Sequence, residues 1–131
     1  MCSWFGFNAG SAFASGSDAV HALFNTHIAA CASTVSFLLV QILVHKKKPS
    51  AVAMMNGAIA GLAGITPAAG YISQGAALVL GFILGAAACV SASLIRSRLN
   101  VDDALDVSSV HGVTGILGSL YIGLCASNGG L

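Results

Sequence analysis

The stretch DALDVSSVHGVTGILGSLYIG, residues 103–123, decides the fold class of this chain. It opens with two carboxylates and then stays apolar for about 20 residues, the length that one helix needs to cross a bilayer. One histidine, His111, lies about eight residues into the stretch. An ionisable side chain at this depth costs free energy wherever it faces lipid. We therefore expect His111 to face the interior of a helix bundle or a pore.

The composition is that of an integral membrane protein. The 131 residues are 56% hydrophobic and only 7% charged, which leaves too few charges to coat a soluble globule. A formal net charge of +1 gives no basis for a nucleic-acid partner. The 4 cysteines stand singly, without a CxxC pair, so we predict no metal site. No nucleophile or phosphate-loop motif indicates an enzyme, and we predict no cofactor.

Four stretches reach or approach the length of a membrane-spanning helix. They are residues 24–45, 51–71, 74–95 and 104–125. A fifth, residues 2–14, is too short to cross alone, and the simplest expectation is that residues preceding Met1 are missing. Basic clusters at residues 45–48 and 96–98 follow two of these stretches, and the positive-inside bias makes their shared side cytoplasmic. The pattern predicts an all-α, multi-pass helical bundle.

Paired glycines indicate that these helices pack closely. Small residues four positions apart let helix backbones approach each other in a membrane. Three such pairs occur, and three further glycines follow one another at intervals of three in the last stretch. The pairs are Gly6 and Gly10, Gly57 and Gly61, and Gly81 and Gly85, and the further glycines are Gly112, Gly115 and Gly118.

The segment WFGFNAGSA places Trp4, Phe7, Asn8 and Ser11 at spacings of three and four, on one helical face. Aromatic rings attract cations through their quadrupole, and a hydroxyl one turn outward is suited to accept from an ammonium-type ligand. Core packing with an interfacial tryptophan explains the same pattern. Both interpretations remain open at this level.

The polar residues of the last stretch also have two interpretations each. Asp103 and Asp106 suit the first turn of a helix, where carboxylates are favoured, but Asp106 has a second option, which is to pair with another helix. His111 is either a neutral histidine that donates to a carbonyl of a neighbouring helix or part of a transport or proton-relay pathway.

Taken together, WFGFNAGSA, KKPSAVAMMNGAIAGLAGITPAAGYIS and VDDALDVSSVHGVTGILGSLYIG resemble the Amt branch of the ammonium transporter, methylammonium permease and Rhesus superfamily. The resemblance covers nearly the whole chain and predicts a partial ammonium transporter domain over residues 1–131. It implies an eleven-helix protomer, usually homotrimeric, whose first ten helices form two inverted repeats of five. This chain resembles the second repeat.

The resemblance also implies roles for individual residues. His111 matches the second of two pore histidines, Phe7 matches one of two stacked gate phenylalanines, and Ser11 matches the serine of an outer ammonium site. Trp4 matches a pore-lining tryptophan, and Val107 matches an apolar position of the pore wall. Asn56 matches a pore-side polar residue, and Thr66 matches a threonine before proline. The partner histidine, the second gate phenylalanine, the outer-site tryptophan and an ammonium-recruiting aspartate would belong to the first repeat.

The function implied is transport of ammonium or ammonia across a lipid bilayer, expected to be the plasma membrane, with methylammonium as a further candidate substrate. An isolated ammonium ion pays tens of kcal/mol on entering hydrocarbon, so the proton must move separately or the lost water must be replaced. The alternative hypothesis is a non-transporting truncated fragment, or a membrane interaction partner of full-length subunits.

Overall fold

The computed structural model describes residues 1–46, 48–99 and 103–126. Over these ranges the chain is helical and has no strand. Its elements are α1 (Cys2–Gly10), α2 (Ser17–Leu43), α3 (Ala51–Ile65), α4 (Gln74–Leu94) and α5 (Thr114–Cys125). Two π-helical turns accompany them: Ile95–Leu99 extends α4, and Ser108–Val113, here called the π turn, leads into α5. Lys47, part of the predicted basic cluster, lies outside the described residues.

Helix α2 is the centre of the bundle and packs against α1, α3 and α4, while α5 packs against α3 and α4. Glycines make the approach possible. A Cβ atom added at Gly61 would lie 2.6 Å from the carbonyl oxygen of Ala29, and one added at Gly81 would lie 2.7 Å from the same oxygen. Helices α3 and α4 therefore press on α2 at one level from two sides, as the paired glycines of these two helices predict.

The other glycines divide into two groups. A Cβ atom at Gly85 would collide with the carbonyl of Ser33, and one at Gly118 with the carbonyl of Gly64. The pair Gly6 and Gly10, by contrast, has nothing within 4 Å of an added Cβ atom, and the same holds for Gly112 and Gly115. The prediction of close contact is therefore wrong for these four glycines within this chain, because the faces that carry them are open.

Three helices in the described part of the chain are long and apolar enough to cross a membrane: Ser17–Leu43, Gln74–Arg98 and Ser108–Cys125. Helix α3 is apolar but shorter, with 15 residues, or about 22 Å at 1.5 Å per residue. It ends before Pro67, whose ring removes a backbone donor, although the sequence indicates a span to residue 71. Large apolar side chains lie exposed on the outer faces of the bundle, among them Phe24, Phe82 and Ile116.

Three helix starts or ends also differ from the sequence-based bounds. Helix α2 begins at Ser17 and not at residue 24, so His21, expected in an outer loop, lies within the helix with Nε2 2.8 Å from the carbonyl oxygen of Ile72. Helix α1 ends at Gly10, before a turn in which Phe13 has a φ of 54°. The last helical stretch begins after Asp106, whose φ of 53° prevents a helix from starting at residue 104.

Candidate functional site

A cavity of about 490 Å³ opens on one side of the bundle where three elements meet. We call it the His111 cavity. Helix α1, the end of α3 and the π turn contribute its walls, which are lined by Ser3, Trp4, Phe7, Ala63, Thr66 and His111. The lining is mostly apolar, with one imidazole, one indole and two hydroxyls. Two of these residues, Ser3 and Ala63, are not indicated by the sequence, since neither type signals a binding site by itself.

The rings of Trp4 and His111 are stacked in this cavity. Their centroids are 6.1 Å apart and their planes differ by 24°. The indole is fixed from behind, because its Nε1 donates to the hydroxyl oxygen of Thr66 at 2.9 Å, and that hydroxyl donates to the carbonyl of Leu62 at 2.8 Å. Residues that are 107 positions apart in the sequence thus form one ordered wall.

The imidazole of His111 is itself exposed to the cavity. Within the part of the chain that the structure describes, Trp4 is its ring contact and neither ring nitrogen has a hydrogen-bond partner. Among these residues no backbone carbonyl accepts a hydrogen bond from His111, as the alternative of a neutral, structural histidine would require. Both nitrogens are available to a small molecule or to a group that closes the cavity.

The four residues of the predicted α1 face separate in the structure. Phe7 is 63% exposed and lines the cavity beside Trp4. Ser11 lies at the end of α1, where its hydroxyl donates to the carbonyl of Phe7 at 2.7 Å. Asn8 points the other way: it is buried, and its Nδ2 donates to the hydroxyl of Thr26 on α2 at 2.9 Å. Its hydrogen bond therefore joins α1 to α2. Asn8 does not line the His111 cavity, although the sequence predicts that it lies on the same helical face as Trp4 and Phe7.

A second cavity of about 350 Å³ lies near the π turn, where α2 and α4 end and α3 begins. We call it the Asp106 cavity. The carboxylate of Asp106 is buried there, and its Oδ2 accepts from Asn56 Nδ2 at 2.9 Å and from Arg96 Nη2 at 2.8 Å. Asp106 thus takes the second of its two options and pairs with other helices. Asn56 belongs to this cavity and not to the one that holds His111.

Asp103 takes the capping option. Its carboxylate accepts from the backbone amides of Val107 at 2.9 Å and Ser108 at 2.8 Å, at the start of the π turn. The amide of Ser108 is the main reason that the pKa of this carboxyl lies below its usual value, with the amide of Val107 and the charge of Arg96 adding to the effect. Val107, predicted to line a pore wall, is half exposed and lies outside the lining of both cavities.

Sequence reasoning missed the partner of Asp106. The sequence places Arg96 in a basic cluster and gives no partner for it, although an arginine and an aspartate that flank one loop between two apolar stretches are candidates for pairing. Over residues 1–46, 48–99 and 103–126, no three histidine, cysteine or carboxylate side chains lie close enough together to hold a metal ion.

Comparison with known proteins identifies a family for this chain. The model of the Ammonium Transporter Family matches residues 1–130. The chain is 52% identical over 123 residues to Ammonium transporter 1 of Dictyostelium discoideum, a match that covers 94% of this chain and 26% of that protein. It is 40% identical over 124 residues to an ammonium transporter of Bacillus subtilis, covering 95% of this chain and 30% of that protein.

Solved structures agree. The crystal structure of Mep2 from Saccharomyces cerevisiae matches with a TM-score of 0.88 and 36% identity, over 95% of this chain and 29% of that one. A Mep2 mutant from Candida albicans matches with a TM-score of 0.89 and 37% identity, over 95% of this chain and 31% of that one. The chain thus spans between a quarter and a third of the length of these relatives. The match of fold confirms the predicted all-α membrane class.

Proposed function

The chain belongs to the ammonium transporter family and is an integral membrane protein, and on that premise we propose that it forms one wall of a pore for ammonium or ammonia. Members of this family are transporters and not enzymes. One observation carries the proposal: the stacked pair of Trp4 and His111 lines an apolar cavity that is open on one side. The family match along residues 1–130 supports a pore-forming role for this segment as one part of a transporting protomer.

The physical chemistry of the cavity fits this substrate. Loss of water disfavours the charged form of an amine, so an ammonium ion that enters an apolar passage is driven to give up its proton. Ammonia can then cross between apolar walls. An imidazole is the side chain whose usual pKa lies nearest to neutral pH, and His111 has free nitrogens to receive or return that proton. The face of Trp4 offers cation–π attraction before the proton is lost.

Phe7 and Ser11 suit the entrance of such a passage. The hydroxyl of Ser11 donates to the carbonyl of Phe7, which leaves its oxygen lone pairs to accept from an ammonium ion. The exposed ring of Phe7 lines the cavity beside Trp4, and its role in this proposal is that of a gate at the entrance. We assign to Val107, one turn before His111, the role of an apolar pore wall beyond the imidazole.

We further propose how the wall is completed. Residues 1–131 would form the second of two inverted five-helix repeats in an eleven-helix protomer, and the first repeat would close the open side of the His111 cavity. Three such protomers would associate as a homotrimer in the plasma membrane, with methylammonium as a further substrate. Closure by a first repeat is supported by the open faces of α1, the π turn and the start of α5, where four glycines have nothing within 4 Å of an added Cβ atom.

The test is a chimera. The segment of the Dictyostelium ammonium transporter that aligns with this chain is replaced by residues 1–131, and uptake of labelled methylammonium is measured in yeast that lacks ammonium transport. The same relative without the segment, and this chain alone, are expressed in parallel with a tag that reports the amount at the cell surface.

We expect uptake by the chimera and not by the other two proteins. A chimera that reaches the surface without transporting would contradict the proposal. Uptake by the chain alone would overturn the two-repeat pore and indicate pores formed between copies of this chain.

A further inference from the structure

The helical stretch that carries His111 starts at a residue with unusual backbone geometry. Asp106 has a φ of 53°, in the left-handed region that aspartate and asparagine adopt more readily than most residues. Its carbonyl accepts from the amides of Ser109 at 3.1 Å and Val110 at 2.9 Å, which forms the first turn. The direction in which the π turn leaves is therefore set at Asp106.

The side chain of Asp106 joins this starting point to two other segments. One carboxylate oxygen accepts from Asn56 on α3 and from Arg96 on the extension of α4. The Asp106 side chain is 8% exposed, whereas that of Arg96 is 57% exposed. A carboxylate buried to this degree is costly without its donors. The contact therefore fixes the start of the π turn against both helices.

His111 itself has no comparable anchor. In the described part of the chain its ring contacts Trp4 and has no hydrogen bond. The position of the imidazole is therefore decided by the backbone of the π turn, and π-helical turns are often found at functional sites. Asp106 lines the other cavity and does not line the one that holds His111, so any influence on the imidazole passes through the backbone.

Building on the proposed function, we infer that Asp106, held by Asn56 and Arg96, is a positioning residue for His111. It fixes the start of the π turn and so keeps the imidazole stacked on Trp4 in the substrate passage. A side chain that merely stabilised the bundle would affect folding without affecting this stack in the folded molecule.

The stack can be observed directly because Trp4 is the only tryptophan of the chain. A protonated imidazole next to an indole quenches its fluorescence, so a pH titration of the chain in detergent should show a quenching step. His111→Ala should abolish the step, and His27→Ala should leave it unchanged because His27 contacts Phe5 and not Trp4.

Two substitutions of Asp106 separate its carboxylate from its backbone conformation. Asp106→Gly accepts a positive φ but removes the carboxylate. Asp106→Asn tolerates the same φ and keeps an oxygen that both donors can reach. We expect the glycine variant to lose most of the quenching step at unchanged helix content by circular dichroism, and the asparagine variant to retain it.

Asn56→Ala and Arg96→Ala each remove one donor to Asp106, and each should lose part of the quenching step. These two variants test the inference even if Asp106→Gly fails to fold. In the chimera, Asp106→Gly should lower methylammonium uptake roughly tenfold, which is less than the roughly hundredfold loss that a displacement of about 1 Å can cause at a reacting group. Asp106→Asn should retain most of the uptake.

A full quenching step in folded Asp106→Gly, or in both donor variants, would overturn the inference. A lost step with unchanged uptake would uphold the positioning of His111 and contradict its role in transport, so that the failure of the two proposals can be told apart.

Discussion

The two sides of the bundle are built differently. Between α2, α3 and α4 the glycines meet backbone and the hydroxyls of Ser33 and Ser36 donate to carbonyls of Gly57 and Phe82, both at 2.7 Å. Around α1 and the π turn the glycines meet open space, and the rings of Phe7 and His111 are exposed. The first side is closed within this chain. The second is the face that a substrate or a further segment can reach, and substitutions on the two sides should therefore have different consequences.

A large loss of stability is expected from a substitution at Gly85. An added methyl group would collide with the carbonyl of Ser33, and overpacking against backbone costs about 3 kcal/mol. We expect Gly85→Ala to lower strongly the thermal stability of the detergent-solubilised chain, measured by size-exclusion chromatography after heating. Gly115→Ala, on the open side, is the matched control and should leave the melting temperature nearly unchanged. Equal melting temperatures for the two variants would remove the distinction between the sides.

The next effect is at Asn25, which closes the far end of α3. Its Nδ2 donates to the carbonyls of Ala69 and Ile72, both at 2.8 Å, and the residue is fully buried. Asn25→Ala leaves two carbonyls without this donor and should cost about 2 kcal/mol. The measurement is the same thermal assay. Asn25→Asp should destabilise the chain further, because an acceptor would then face the two carbonyls. If either variant were as stable as the parent, these two hydrogen bonds would not be holding the end of α3.

A smaller effect is expected on the open side, in transport and not in stability. Trp4→Phe keeps a ring against His111 but loses the hydrogen bond to Thr66, which is worth about 1 kcal/mol, or roughly fivefold in uptake by the chimera. Thr66→Val should have a similar effect. Because both variants remove the same bond, the double variant should transport about as well as either single one. Independent, multiplying losses would show that the bond does not hold the indole.

The smallest effect concerns pH. The amide of Ser108 lowers the pKa of Asp103 in the folded chain from 3.8, so its carboxylate stabilises the folded state above the unfolded pKa. That contribution is lost as the pH falls through the lowered pKa of the folded state. The melting temperature should therefore fall below pH 4 less steeply in Asp103→Asn than in the parent. Parallel curves would show that this cap does not contribute.

Sequence patterns predict the bounds of a helix where a continuous apolar stretch alone determines them. Helix α4 spans Gln74–Leu94 against an expected 74–95, because a continuous apolar stretch marks its own ends. The start of α2 could not be predicted in this way. His21 lies outside the predicted apolar stretch and is expected in a loop, whereas Asn25 lies just inside it. Both side chains bond the backbone at residues 69–72, about 50 positions away, and no local pattern contains that contact.

In the candidate site, too, local patterns indicate single residues, but the contacts between distant residues depend on tertiary packing. Spacing on α1 groups Trp4 with Phe7, and the depth of His111 in an apolar stretch marks it as exceptional. That Trp4 and His111 stack on each other follows from tertiary packing, and before the structure only the resemblance to a family indicated a shared pore. Asp106 had two options from the sequence, and the choice between them depends on Asn56 and Arg96, which only the folded chain brings to it.

The most direct test of the account is methylammonium uptake by the chimera with His111→Ala compared with His27→Ala, at equal surface amounts. Both are exposed histidines within helical stretches, but one lies in the cavity with Trp4 and the other against Phe5 on the outer face of α2. The account predicts that uptake is lost or altered in its concentration and pH dependence with His111→Ala and unchanged with His27→Ala. Uptake that is the same in both variants would contradict the claim that the open face carrying His111 lines the substrate passage.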